Sequence, residues 1–165
     1  MDIRARTKLA ATAMQIAIIA LAVAAASAAA PAAAGGSRYA AGNDIWQAEC
    51  ASCHIAYPPQ LLPAASWQRL MAGLEKHFGA DASVEAVAAA EIGRFLEANA
   101  ARGKRARQGA GELRITRTAW FSREHDEVPA QTWSSPAVRS ASNCTACHSL
   151  AERGDFSERN VRIPR

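Results

Sequence analysis

Two pentapeptides constrain this chain more than anything else in it: Cys50-Ala-Ser-Cys53-His54 and Cys144-Thr-Ala-Cys147-His148. Together they hold all four cysteines. Cys-x-x-Cys-His is the attachment signature of a c-type haem, and the spacing has a chemical reason. Two thiols must add across the two vinyl groups of one haem, and a separation of three positions on a helical turn brings both sulfurs to one side. The adjoining His then presents its imidazole to the iron as the proximal ligand. Cys50, Cys53, Cys144 and Cys147 are therefore the expected covalent anchors of two haem c groups, and His54 and His148 the expected proximal ligands. Two local disulfides or one shared zinc site would use the same cysteines. A zinc ribbon, however, spaces its pairs by about 15–20 residues, far closer than Cys53 and Cys144. A thioredoxin-like pair needs no His after it, and here one follows both.

The start of the chain reads as an address. Arg4, Arg6 and Lys8 form a positive region, and Leu9 to Ala30 is uncharged and rich in Ala, Ile, Leu and Val. Small residues then offer cleavage after Ala28 or Ala34, so residues 1–34 read as a secretory signal peptide. An uncleaved membrane anchor is the alternative; the weak hydrophobicity of Ala and the arrival of Pro31 favour cleavage. In bacteria covalent haem attachment takes place outside the cytoplasm, so a periplasmic location agrees with both features. Loss of residues 1–34 removes Asp2, Arg4, Arg6 and Lys8, which lowers the formal net charge from +4 to +2. That balance gives no argument for nucleic acid. The remaining chain has few large apolar residues, so the flat faces of bound haem are expected to form much of its core, with the apoprotein poorly folded.

Read in order, the mature part is mainly α-helical. Gly35 to Gly42 is a flexible leader. Asn43 or Asp44 caps a helix that runs through Ile45, Trp46, Ala48 and Glu49 into the first motif. Pro58, Pro59 and Pro63 make residues 55–63 a stiff extended loop. A backbone carbonyl there is the expected acceptor for Nδ1–H of His54, since ligating imidazoles need a second partner. Ser66 is the expected cap of a helix from Trp67 to Phe78, closed by Gly79. Asp81 or Ser83 starts a third helix ending near Asn99, with Val84, Val87, Ala88, Ile92, Phe95 and Leu96 on its buried side. Ala101 to Gly111, with Arg102, Lys104, Arg105 and Arg107, reads as a solvated linker, or else as a docking patch for an acidic partner. Leu113 to Thr116 is a short extended segment. Arg117 to Glu127 is a short helix bearing Trp120, Phe121 and His125, ended by Val128-Pro129. A last helix from about Ala137 carries the second motif. The tail from Ser149 is irregular, with Phe156 and Ile163 tucked against haem.

The remaining iron ligands decide between carrier and enzyme. The chain has four histidines, so His77 and His125 are the two left over, and Met71 is the only methionine beyond residue 34. Three arrangements are open: two bis-His haems, one haem with Met71, or one iron left open to a small ligand or peroxide. Each residue also has an ordinary role. His77 suits a helix C-terminus, Met71 a core, and His125, among Glu124, Asp126 and Glu127, a wet surface. The count of four His for two haems favours bis-His at both. Proximity along the chain pairs His54 with His77 and His148 with His125, and a crossed pairing stays open. Met raises a haem potential relative to His, so two bis-His haems would be low-potential centres closed to substrate.

A longer set of motifs resembles the bacterial dihaem cytochrome c family. It includes Cys50-x-x-Cys-His54-x-Ala-Tyr-Pro-Pro-x-Leu-Leu-Pro63, Ser66-Trp67, Leu74-x-x-His77-Phe-Gly79, Leu113-Arg-Ile-Thr116, Trp120-Phe121-x-x-x-His125, and Asn143-Cys-x-x-Cys-His148 with Gly154-Asp155-Phe156. The resemblance implies a periplasmic electron carrier with two haem domains, here 35–108 and 109–165. The first would be like a class I cytochrome c but with His as sixth ligand; the second would be short and irregular with few helices. Carried over by position, His77 and His125 would be the distal ligands. Partners would be other redox proteins, such as c-type haem proteins and membrane b-type cytochromes, with no small-molecule substrate. The residue-level alternative is a dihaem enzyme or ligand-binding protein, peroxidase-like or gas-binding, with one open iron.

Overall fold

Asn43 stops the chain's extended entry and starts its first helix, α1 (Asp44–Cys50): its Oδ1 accepts from Trp46 N at 2.8 Å. The computed structural model describes Tyr39 and residues 42–164. The chain divides into two units, 1–34 and 35–165, and every described residue belongs to the second. The signal-peptide expectation and most of the expected leader lie outside the described residues. Six α-helices occur among the described residues, joined by 3₁₀ turns and isolated bridges with no strand. None is long and apolar enough to cross a membrane. The mainly helical expectation holds.

Helices α2 (Ala64–Met71) and α1 both pack on α3 (Ala86–Asn99). Between them lies a core of Trp46, Ala56, Leu62, Trp67, Ile92, Leu96 and Ala100. Trp46 meets Phe95 of α3 with ring centroids 5.2 Å apart. Asn43 also donates from Nδ2 to Glu91 at 2.6 Å, which ties the entry of α1 to α3. The proline-rich loop is extended as expected, apart from one 3₁₀ turn at Pro59–Leu61. It is held from inside by Trp67, whose Nε1 donates to Pro59 O at 2.7 Å.

Several boundaries differ from the sequence expectation. α2 begins at Ala64 behind Pro63, so Ser66 is a buried residue of its first turn and makes no cap bond. The helix stops at Met71 because Gly73 follows, and a 3₁₀ turn (Leu74–Lys76) takes over. His77 therefore sits past a turn rather than on a helix. Phe78 at φ 52° and Gly79 at φ 104° then reverse the chain, and Ala82 N closes the loop on Leu74 O at 2.9 Å. α3 starts at Ala86, and Val87 points outward with 83% exposure. Its side chain lies on the face opposite Ile92 and Leu96, which both α1 and α2 leave uncovered.

The second half departs further. The expected linker contains a helix, α4 (Gly103–Gln108), which packs on α5 (Ala119–Glu124). Its half-buried Arg105 lies over the Trp120 ring at 4.4 Å and donates to the Tyr39 hydroxyl. A guanidinium that stacks on an aromatic face is held in place, unlike a freely solvated one. Leu113 to Thr116 is not extended throughout, since Ile115–Arg117 forms a 3₁₀ turn. An additional short helix, α6 (Ala130–Ser134), follows Pro129. No α-helix carries the second motif; Cys144–Ala146 forms a 3₁₀ turn only. Side chains take backbone groups there: the Ser140 hydroxyl accepts from Ser142 N at 3.2 Å and Asn143 Nδ2 donates to Val138 O at 3.0 Å, which competes with helix propagation. The tail turns on Gly154 in the left-handed region. Buried Asp155 accepts from Ser157 N and Asn160 Nδ2 at 2.9 and 3.2 Å, which pins the end of the chain.

Candidate haem sites

The first motif leaves α1 at Cys50 and unwinds through 51–54, so Cys53 and His54 are exposed. His54 Nδ1 lies 2.7 Å from Ile55 O, the kind of loop carbonyl expected for it. With Nδ1–H so engaged, Nε2 is the nitrogen left for a metal. The His77 ring lies 6.2 Å from that of His54, centroid to centroid, with planes inclined at 34°. Phe78 stands against His77 at 4.8 Å, and the Arg114 guanidinium lies over the Phe78 ring at 4.0 Å. Burial, then the neighbouring His54, then Arg114 lower the pKa of His77, which favours the neutral imidazole over the charged one. Met71 packs at the edge of the first core.

The second site is assembled from α5 and the tail. Thr118 caps α5 by accepting from Phe121 N at 3.2 Å and donating to Ile115 O at 2.7 Å. This sets α5 so that His125, at its C-cap, returns Nδ1 to Phe121 O at 2.9 Å and stacks on the Phe121 ring at 4.1 Å. The His148 ring lies 6.0 Å from that of His125, with planes inclined at 76°. Trp133 of α6 backs His125 at 5.8 Å, and Phe156 covers His148 at 5.2 Å. The tail reaches this motif through Arg162 N, which donates to Cys147 O at 2.8 Å. Burial and then His125 lower the pKa of His148. Ile163 remains 48% exposed, so of the two tail residues expected at the haem only Phe156 adjoins a motif histidine.

The residues fit the group that the motifs imply. Imidazoles that coordinate one metal from opposite sides at about 2 Å have ring centroids about 6 Å apart, which matches both pairs. Nδ1 of His77 and of His148 is buried without a protein partner, a costly arrangement unless something other than protein satisfies the ring. A cavity of about 690 Å³ is lined by Cys53, His54 and Tyr57 on one side and by Ser142, Asn143 and Thr145 on the other. The four cysteines are free thiols. Burial pushes Cys50 and Cys144 up to about 11, which disfavours a thiolate nucleophile at either position. Among the described residues no three His, Cys, Asp or Glu side chains converge on a metal site.

The sequence pattern of the family described as dihaem cytochrome c matches residues 46–156. This chain belongs to that family. A diheme cytochrome c from Shewanella baltica is 43% identical, with a TM-score of 0.65 over 74% of this chain and 93% of that one. A diheme cytochrome c from Rhodobacter sphaeroides is 44% identical, with a TM-score of 0.62 over 69% of this chain and 96% of that one. No curated protein matches. The cytochrome thus carries two haem c groups with their iron, for which its four cysteines are available, and its family role is electron transfer among redox partners.

Three contacts were beyond sequence reasoning: Tyr57 with Ser142, Arg114 over Phe78, and Trp133 against His125. Each joins residues brought together only by folding. The one available signal was that an aromatic stood close to each motif histidine or candidate ligand in sequence.

Proposed function

We propose that this cytochrome is a periplasmic single-electron carrier with two low-potential haems, each held between two histidines: His54 with His77, and His148 with His125. The observation that carries the proposal is the pair of facing imidazoles, 6.2 and 6.0 Å apart by ring centroid, one pair at each motif. An iron with both axial positions taken by imidazole has no place for a substrate, and without a Met ligand its potential is low. Haem supplies one-electron chemistry at iron. The chain supplies the fixed ligands. Ile55 O and Phe121 O orient His54 and His125, while Phe78, Trp133 and Phe156 narrow the access of water to the rings. Rigid ligands limit the rearrangement that accompanies each change of charge. A charged surface suits small transient contacts with other redox proteins, and the family resemblance favours c-type haem proteins and membrane b-type cytochromes. The export-type N-terminus supports the periplasmic placement.

Carbon monoxide tests the ligation. The reduced holoprotein at neutral pH is expected to leave its absorption spectrum unchanged under the gas, and rapid binding without denaturation would refute two closed irons. His77→Ala and His125→Ala should each convert one haem from low to high spin and open it to the gas. A variant that leaves both haems low-spin removes that residue from the ligand set.

A further inference from the structure

Tyr57 joins the two motifs. Its ring lies 4.7 Å from that of His54, inclined at 31°. Its hydroxyl donates to Ser142 O at 2.7 Å, a bond between residues 85 positions apart. The same carbonyl accepts from Cys144 N at 3.0 Å and lies 3.6 Å from Cys144 Sγ. A continuous chain therefore runs from the first motif's histidine, through a stacked ring and a hydrogen bond, to the backbone of the second motif's first cysteine. Tyr57 and Ser142 both line the cavity shared by the motifs. The loop that presents Tyr57 is stiffened by Pro58 and Pro59 and pinned by Trp67, so the ring has little freedom to leave.

We infer that Tyr57 is the positioning and coupling residue between the two haem sites: it sets their separation and provides the contact route by which one electron passes between them. This rests on the proposed electron-carrier reading. In the exchange one iron goes from Fe(II) to Fe(III) and the other from Fe(III) to Fe(II). Tyr57 is neither oxidised nor reduced and keeps its proton, because the phenol serves as a donor to Ser142 O in both states. Bonds and hydrogen bonds transmit electronic coupling better than an open gap does, so a chain with one link missing should conduct more slowly. The phenol does two separable things. The ring contacts His54, and the hydroxyl reaches the second motif.

Tyr57→Phe separates them, since it keeps the ring and removes the donor. The holoprotein is reduced at one haem by a light flash, and re-equilibration between the haems is followed optically. The expected result is a severalfold slower exchange, with both haems still low-spin and both midpoint potentials close to wild type. Replacing Tyr57 by 4-aminophenylalanine, which returns a para N–H donor, should restore the rate. Exchange at the wild-type rate in a low-spin Tyr57→Phe protein would overturn the proposal, as would a slowed rate that the amino analogue fails to restore. If Tyr57→Phe does not accumulate as holoprotein, the amino analogue and Tyr57→Leu carry the test: the first should match wild type and the second should exchange more slowly than either, and equal rates overturn it. In the wild type, NMR should find the Tyr57 hydroxyl proton protected from solvent, and a freely exchanging proton counts against the bond. A carbon monoxide-binding or high-spin wild-type iron would instead undo the ligation reading, so the two failures are distinguishable.

Discussion

Individual side chains in this cytochrome have tasks that local sequence does not announce. Trp67 is an example. Its indole N–H is spent on Pro59 O inside the core, and the loop that carries Tyr57 is shaped around it. Trp67→Phe removes the donor and leaves Pro59 O with only the long 3.4 Å bond from Leu62 N. The cost should be about 1 kcal/mol, read as a lower denaturant midpoint for the holoprotein. Tyr57 should also show in the alkaline range. Burial raises its phenol from 10.0 to about 12. A group whose folded pKa exceeds its unfolded value contributes stability that is fully present below the unfolded value and is lost as pH rises through the folded one. Stability should therefore fall with a Tyr57 component between about pH 10 and 12. Denaturation curves against pH should show that component in the wild type and lack it in Tyr57→Phe.

At the scale of elements, each His is placed by the element that ends or begins beside it. α5 matters most, because its Thr118 cap and its Phe121 carbonyl together orient His125. Thr118 is wholly buried. Thr118→Ala should cost about 1–2 kcal/mol and should broaden the low-spin signal of one haem only, as read by electron paramagnetic resonance. The two sites should also differ in the wild type. Their ring planes cross at 34° in one pair and 76° in the other. Nearly perpendicular imidazoles leave two iron orbitals close in energy and give a strongly anisotropic ferric signal, whereas rings nearer to parallel give an ordinary rhombic one. One signal of each kind is the expected spectrum, and two identical rhombic signals would contradict these ring orientations. α1 was legible because Asn43 caps it, and the end of α3 at Asn99 and its Ile92 and Leu96 face were legible from apolar spacing; the start of α3 was not, since it begins at Ala86 with no side-chain cap. The overlong α2 and the missing helix at the second motif were not. In α2 one glycine outweighed a continuing apolar pattern, and at 138–143 the side chains of Ser140 and Asn143 took backbone groups that a helix needs.

Across the whole molecule the two halves share buried residues. Leu61, in the loop that follows the first motif, packs with Trp120 and Phe121 of α5, and Trp120 Nε1 donates to Leu61 O at 3.3 Å. Tyr57, Ile115 and Trp133 border the same cluster. Leu61→Ala should destabilise the holoprotein by about 2–5 kcal/mol. With a shared cluster, the absorption bands of both haems should shift in one thermal transition. Two separate transitions would show that 35–108 and 109–165 melt as independent domains. Charge is also unevenly spread. Residues 35–100 hold four Lys and Arg against seven Asp and Glu, while 101–165 hold twelve against seven. An acidic redox partner is thus drawn to the second half, and its association should slow as salt is added.

The sequence by itself determined the cofactor chemistry, because thioether attachment needs two thiols and a histidine within five consecutive residues, a constraint that survives in an unfolded chain. It also determined the helical class, through spacing, caps and prolines that act over a few positions. Tertiary structure alone decided which imidazoles face each other, where Arg105 and Arg114 lie, and that Tyr57 meets Ser142. Those contacts join residues from 15 to 85 positions apart, such as Tyr57 and Ser142 with |i−j| of 85, and their strength comes from burial and packing that no local pattern encodes.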